Sequence, residues 1–99
     1  MGTLGKDEIE ERLAGLDGWE RASEGGADAI VRDLELADFA AALALVNRVG
    51  ELAERANHHP DILIHGWNKV RLTLSTHSAG GLTAADFALA GQIDGLGRA

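Results

Sequence analysis

The chain holds a single proline, Pro60, and that residue constrains the fold more than any other. Proline has no amide hydrogen and its ring collides with the preceding turn, so a helix cannot run undisturbed through it. The residue before it, His59, is pushed toward extended backbone. Immediately upstream lies the longest run of helical spacing. Phe39, Leu43, Val46, Val49, Gly50, Ala53 and Ala56 form an apolar stripe. Asp38 stands where a side chain can accept from the free N–H groups of the first turn. Alanine is abundant in this stretch, which favours helix and permits close packing. Asn57-His58-His59-Pro60 is therefore read as the helix exit. Beyond it the period changes to two. Asp61 to His65 reads as a short strand, with Ile62 and Ile64 on one face. Lys69 to His77 reads as the clearest strand. Val70, Leu72 and Leu74 point one way; Lys69, Arg71, Thr73, Ser75 and His77 point the other.

The first third of the chain repeats the logic on a smaller scale. Lys6 to Leu16 predicts a short helix through Ile9, Leu13 and Leu16, with acids in its first turn and Gly15 and Gly18 to stop it. Trp19 to Ala22 begins a strand, Ser23 to Asp28 is turn chemistry, and Ala29 to Leu36 is a second strand. Ile30, Arg32, Leu34 and Leu36 share one face of it and Val31, Asp33 and Glu35 the other, an imperfect alternation. At the far end, Thr83-Ala84-Ala85-Asp86 resembles a capping box before a helix that buries Phe87, Ala90, Ile93 and Leu96. The order α-β-β-α-β-β-α predicts an α+β fold: a four-stranded antiparallel sheet with helices packed on one face, in a single domain over residues 1–99.

Composition narrows the function. An apolar fraction of 45% and a charged fraction of 25% are ordinary for a globular chain. A net charge of −7 leaves no basic stripe for phosphate, so neither nucleic acid nor an anionic membrane is an expected direct partner. No apolar run approaches the roughly 20 residues of a spanning helix. Met1 to Glu11 carries acids and no apolar block, which argues against a secretory signal. The absence of cysteine removes disulfides, thiolate nucleophiles and cysteine–zinc sites, and fits a cytoplasmic protein. Nucleotide-binding glycine loops are absent.

What remains is histidine. His58 and His59 sit at a helix exit and His77 at a strand end, places where side chains reach into clefts from rigid elements. Histidine can give or take a proton near neutral pH. Glu54 precedes His58 by four residues, about 40° apart around a helix axis, so the two can touch and the carboxylate can orient the imidazole. Adjacent histidines rarely ligate one ion together, which argues against a metal. Asp86 reads equally as a helix cap and as a site residue. Trp19 and Trp67 read as packing residues, and His65, near a turn, as a surface or structural residue.

Glu54-Arg55-Ala56-Asn57-His58-His59-Pro60-Asp61 together with Trp67-Asn68-Lys69-Val70-Arg71-Leu72-Thr73-Leu74-Ser75-Thr76-His77 resembles the pterin-4a-carbinolamine dehydratase family. Ala79-Gly80-Gly81-Leu82-Thr83 and the helix from Asp86 continue the likeness, and it spans nearly the whole chain. Between His-His-Pro and Asn-Lys-Val the chain is one residue longer than the family's usual spacing, and Ile64-His65-Gly66-Trp67 absorbs it as a longer turn or bulge. The resemblance implies a lyase that dehydrates a 4a-hydroxytetrahydropterin, recycling the pterin used by aromatic amino acid hydroxylases. It implies no cofactor, no metal, and a homodimer or homotetramer. It also implies a site in which His58, His59 and His77 transfer protons. Glu54, Asn57, Pro60, Ser75, Thr76 and Asp86 would hold the substrate: Glu54 by orienting His58, Ser75 and Thr76 by backbone groups along the pterin's amide edge, Pro60 by packing beside the ring. A non-catalytic interaction module on the same fold, or an enzyme for another pterin, are the alternatives.

Overall fold

The computed structural model describes residues 2–96. Helix α1 is Lys6–Ala14, strands β1 and β2 are Trp19–Glu24 and Ala27–Glu35, and helix α2 is Phe39–Ala56. Strands β3 and β4 are Asp61–His65 and Lys69–Leu74, a short 3-10 turn covers His77–Ala79, and helix α3 is Ala84–Leu96. The sheet order is β1-β2-β4-β3 with every pair antiparallel. This is the expected α+β architecture. Ile30, Val70, Leu72 and Leu74 are buried on the helix-covered face, whereas Lys69 and Arg71 on the opposite face are exposed.

Several boundaries differ from the sequence reading, each for a local reason. The first hairpin closes on two residues, since Glu24 pairs with Ala27. Gly25 and Gly26 both take positive φ, at 58° and 86°. That is the backbone of a turn whose twist matches paired strands, and glycine adopts it without strain. The second hairpin turns through Gly66 and Trp67, both also at positive φ. Trp67 is exposed there, not packed as its size led one to expect. Strand β4 ends at Leu74, three residues before the expected end. Thr76 pairs with Gly81, and its carbonyl accepts from Ala79 N–H and Gly80 N–H, which curls the chain into the 3-10 turn that begins at His77.

Helix α2 begins as read, with Asp38 Oδ1 accepting from Ala41 N–H at 2.8 Å. Its buried line is Ala42, Leu45, Val49 and Ala53. The expected stripe was therefore rotated: Phe39 and Leu43 remain about half exposed. Alanine on the buried line lets the helix lie close to β4 and α3. Among the described residues no helix is long and apolar enough to cross a membrane.

One anomaly of the sequence resolves here. Arg32, on the apolar face of β2, pairs with Asp94 of α3. The same carboxylate accepts from the Trp19 indole at 2.8 Å and from the Asp17 backbone N–H at 3.1 Å. This cluster ties α3 to β1, β2 and the end of the α1 connection.

Candidate active site

The exit of α2 sets the position of the first two histidines. Asn57 takes left-handed backbone, φ 49° and ψ 43°. Its N–H donates to Glu54 C=O, and His58 N–H reaches back to Ala53 C=O at 3.1 Å. This paired capping pattern satisfies the last carbonyls and swings the following residues off the helix. The helix thus ends at Ala56, four residues ahead of Pro60. Asn57 suits this position because its short polar side chain tolerates left-handed backbone better than most residues.

The swing also exchanges the expected partners. Glu54 meets His59 Nε2, not His58. A four-residue spacing brings Glu54 and His58 together only on a helix unbroken through His58, and the left-handed Asn57 breaks it. Both members of the Glu54–His59 pair are well exposed. His58 is 14% exposed, and its Nε2 lies 2.5 Å from Asp86 Oδ1.

Asp86 is fully buried and is the hub of this cluster. Its Oδ2 accepts from Thr83 N–H at 2.9 Å and from the Thr76 hydroxyl at 2.7 Å. The Thr83 contact is half of a capping box, a third-position side chain reaching back to the cap residue's N–H. Asp86 therefore caps α3 and also meets a candidate histidine: one oxygen closes the start of α3 while the other contacts His58. With N–H and O–H donors on Oδ2, Asp86 acts as an acceptor, and the network assigns the hydrogen of the contact to His58 Nε2. The ring's Nδ1 is then the nitrogen left for a second partner.

The remaining residues lie as follows. Thr76 and Thr83 hydroxyls meet at 2.9 Å. Thr83, not picked out as a site residue from the sequence, was visible only as a cap. Thr76 donates its backbone N–H to Gly81 C=O at 2.8 Å, and its carbonyl accepts from Ala79 and Gly80, both at 3.0 Å. Its main chain is thus engaged within its own loop. Ser75 is buried, with its hydroxyl donating to Asp28 C=O at 2.9 Å. His77 is exposed and lines a cavity of about 330 Å³ with Gly25, Ala27, Ser75 and Gly80. Neither His58 nor His59 lines that cavity. Pro60 is half-buried between the helix exit and β3. Among the described residues, no group of three or more His, Asp or Glu side chains is placed to hold a metal ion.

The fold and this cluster define a small α+β protein whose site is built from imidazoles and carboxylates at the joint between a helix exit and a strand exit. Comparison with known proteins gives the family. The family model "Pterin 4 alpha carbinolamine dehydratase" matches residues 2–96, and the chain belongs to that family. It is 51% identical over 96 residues to a protein of Acidobacterium capsulatum provisionally named pterin-4-alpha-carbinolamine dehydratase, covering 97% of this chain and 99% of that one. A protein of Nocardia farcinica with the same provisional name is 52% identical over 95 residues, covering 96% and 95%. Among solved structures, a transcriptional coactivator/pterin dehydratase from Brucella melitensis superposes with a TM-score of 0.86 at 33% identity, covering 96% of this chain and 98% of that one. A pterin dehydratase-like protein identified as a RuBisCO assembly factor in the α-carboxysome shares the fold, with a TM-score of 0.65 at 21% identity over 80% of this chain and 88% of that one.

Proposed function

We propose that this chain is a hydro-lyase that converts a 4a-hydroxytetrahydropterin to the quinonoid dihydropterin and water, with histidines as general acid and base. The chemistry asks for little. The bond from C4a to the hydroxyl oxygen breaks, the oxygen takes a proton and leaves as water, and N5 gives up its proton as its lone pair forms the C4a=N5 double bond. One acid and one base suffice, each contributing about 10²–10⁴-fold. No nucleophile or redox step is required.

The observation that carries this reading is the fully buried Asp86 carboxylate, which contacts His58 of the helix exit and Thr76 of the strand exit. It draws together the two segments that bear His58, His59 and His77. In this proposal His58 and His77 act at the reacting edge and His59, steadied by Glu54, assists. Asp86 fixes the His58 ring. Pro60 flanks the pterin, the left-handed Asn57 sets the direction of the histidine pair, and the Ser75 main chain meets the amide edge, while Thr76, whose N–H and C=O are engaged in its own loop, holds that segment in place. The half-exposed Phe39 and Leu43 support assembly into a homodimer or homotetramer, and the cytoplasm is the setting proposed for it.

Loss of a chemically generated 4a-hydroxytetrahydropterin, followed by ultraviolet absorbance, tests the proposal. Wild-type protein is expected to accelerate it, and His58→Ala and His77→Ala each to remove about 10²-fold or more of the acceleration. No acceleration by the wild type, or full activity in both variants, would contradict the reading. The first result would favour an interaction module, a reading to which the coactivator name of the Brucella melitensis relative lends support.

A further inference from the structure

We infer that Thr76 is a positioning residue: its hydroxyl registers the His58 and His77 segments against each other, and its side chain does not contact the substrate. This deepens the function proposed above and rests on it. Thr76 is engaged on three sides. Its hydroxyl donates to Asp86 Oδ2 at 2.7 Å, and Asp86 Oδ1 contacts His58. Its carbonyl accepts from Ala79 and Gly80, so it closes the turn that begins at His77. Its N–H is bonded to Gly81 C=O. One residue therefore anchors the loop of one histidine and the carboxylate of the other.

The direction of the hydrogen bonds follows from donor supply. A threonine hydroxyl has one hydrogen, and Thr76 gives it to Asp86. The 2.9 Å contact with Thr83 Oγ1 must then use the Thr83 hydrogen. A chain results in which the Thr83 hydroxyl donates to Thr76, Thr76 donates to Asp86, and Asp86 accepts from His58. Each hydroxyl polarises the next, and the Asp86 end is fully buried, where such bonds are strong and costly to leave unmade. Removing the Thr76 hydroxyl leaves Asp86 Oδ2 held by Thr83 N–H alone, so the carboxylate can tilt about that contact and the His58 ring moves with it. Misplacement of a proton-transfer group by about 1 Å costs on the order of 100-fold in rate.

Thr76→Val removes the hydroxyl and keeps the shape; Thr76→Ser restores the hydroxyl. For Thr76→Val the expected result is a kcat lower by about 10- to 100-fold with KM unchanged, and for Thr76→Ser a return toward the wild-type kcat. Nuclear magnetic resonance supplies a readout independent of turnover. The His58 Nε2 hydrogen should be protected from exchange in wild type and Thr76→Ser, and should exchange faster in Thr76→Val. Thr83→Val, which cuts only the outer link, should give a smaller loss in the same direction and serves if Thr76→Val does not fold. A raised KM with kcat retained in Thr76→Val, or a His58 hydrogen equally protected in all variants, would overturn the inference. A wild-type protein without dehydratase activity would defeat the proposed reaction alone, since the exchange comparison would still decide the role of Thr76.

Discussion

Helix α3 carries two buried aspartates, Asp86 near its start and Asp94 near its end, and they do different work with the same functional group. Asp94 is held by the Arg32 guanidinium, the Trp19 indole and the Asp17 backbone N–H. None of those donors gives up its hydrogen near neutral pH. Asp86 is held by a backbone N–H, a hydroxyl and a histidine, and the histidine keeps a small opening to solvent. The comparison teaches that burial of a carboxylate does not separate scaffold from site. The partner does: a permanent cation makes a clamp, whereas an imidazole makes a group whose proton can move.

The clamp end should show the larger effect on stability. Asp94→Ala leaves the Arg32 charge and the Trp19 indole without their acceptor, and urea unfolding is expected to report a loss of about 3–5 kcal/mol. Dehydration per folded molecule should stay near wild type. A loss no larger than that of a surface substitution would break the comparison at this end.

Asp86→Asn should invert the pattern. The amide oxygen can still accept from Thr83 or Thr76, so the stability cost is expected to be about 1–3 kcal/mol. The rate of 4a-hydroxytetrahydropterin dehydration should fall about 100-fold, because an amide is a poorer partner for an imidazole that must carry a proton. Equal losses of stability in the two variants, with activity retained in both, would erase the distinction.

The smallest effect belongs to a third carboxylate–cation pair, on the open sheet face. Asp33 accepts from Arg71 Nε at 2.8 Å and Nη2 at 3.0 Å, and both side chains are more than half exposed. The Arg71 hydrogen bonds hold the Asp33 carboxyl below its ordinary value, with smaller help from the charges of Arg71 and His65 against a slight burial penalty. A carboxylate lowered in the folded state stabilises the fold above its unfolded value, near about 3.9, and that contribution disappears as pH falls through the lower folded value. Asp33→Asn should therefore unfold at slightly lower urea than wild type at neutral pH and low salt. The two midpoints should converge on acidification from about pH 4 downward and on adding salt. A gap that persists in acid or in high salt would show that exposure does not weaken the pair as argued.

How far the chain could be read in advance follows the same divide between local and distant partners. The Asp38 cap, the period-two pattern of Val70, Leu72 and Leu74, and the element order depend on neighbours in sequence, and they appear as expected. The three histidines stood out because their residue type and motif are local as well. The partners were not legible. Glu54 joins His59 because Asn57 turns left-handed, a conformation that asparagine permits but does not demand. Asp86 meets His58 and Asp94 meets Arg32 across 28 and 62 residues of chain. An arginine on an apolar strand face was the one visible sign that a buried acid waited elsewhere. The early end of β4 depends on a pairing between Thr76 and Gly81 that closes a loop, which alternation alone does not encode.

In the proposed reaction the helix exit and the strand exit, joined through Asp86, serve one flat heterocycle. A crystal structure of the full chain with a non-reacting reduced pterin such as a 7,8-dihydropterin tests it most directly. The account predicts the ring with its N5–C4a edge within hydrogen-bonding reach of His58 and His77 together, and Pro60 at its side. A pterin bound against only one of those histidines, or seated on the open sheet face beside Arg71, would contradict it.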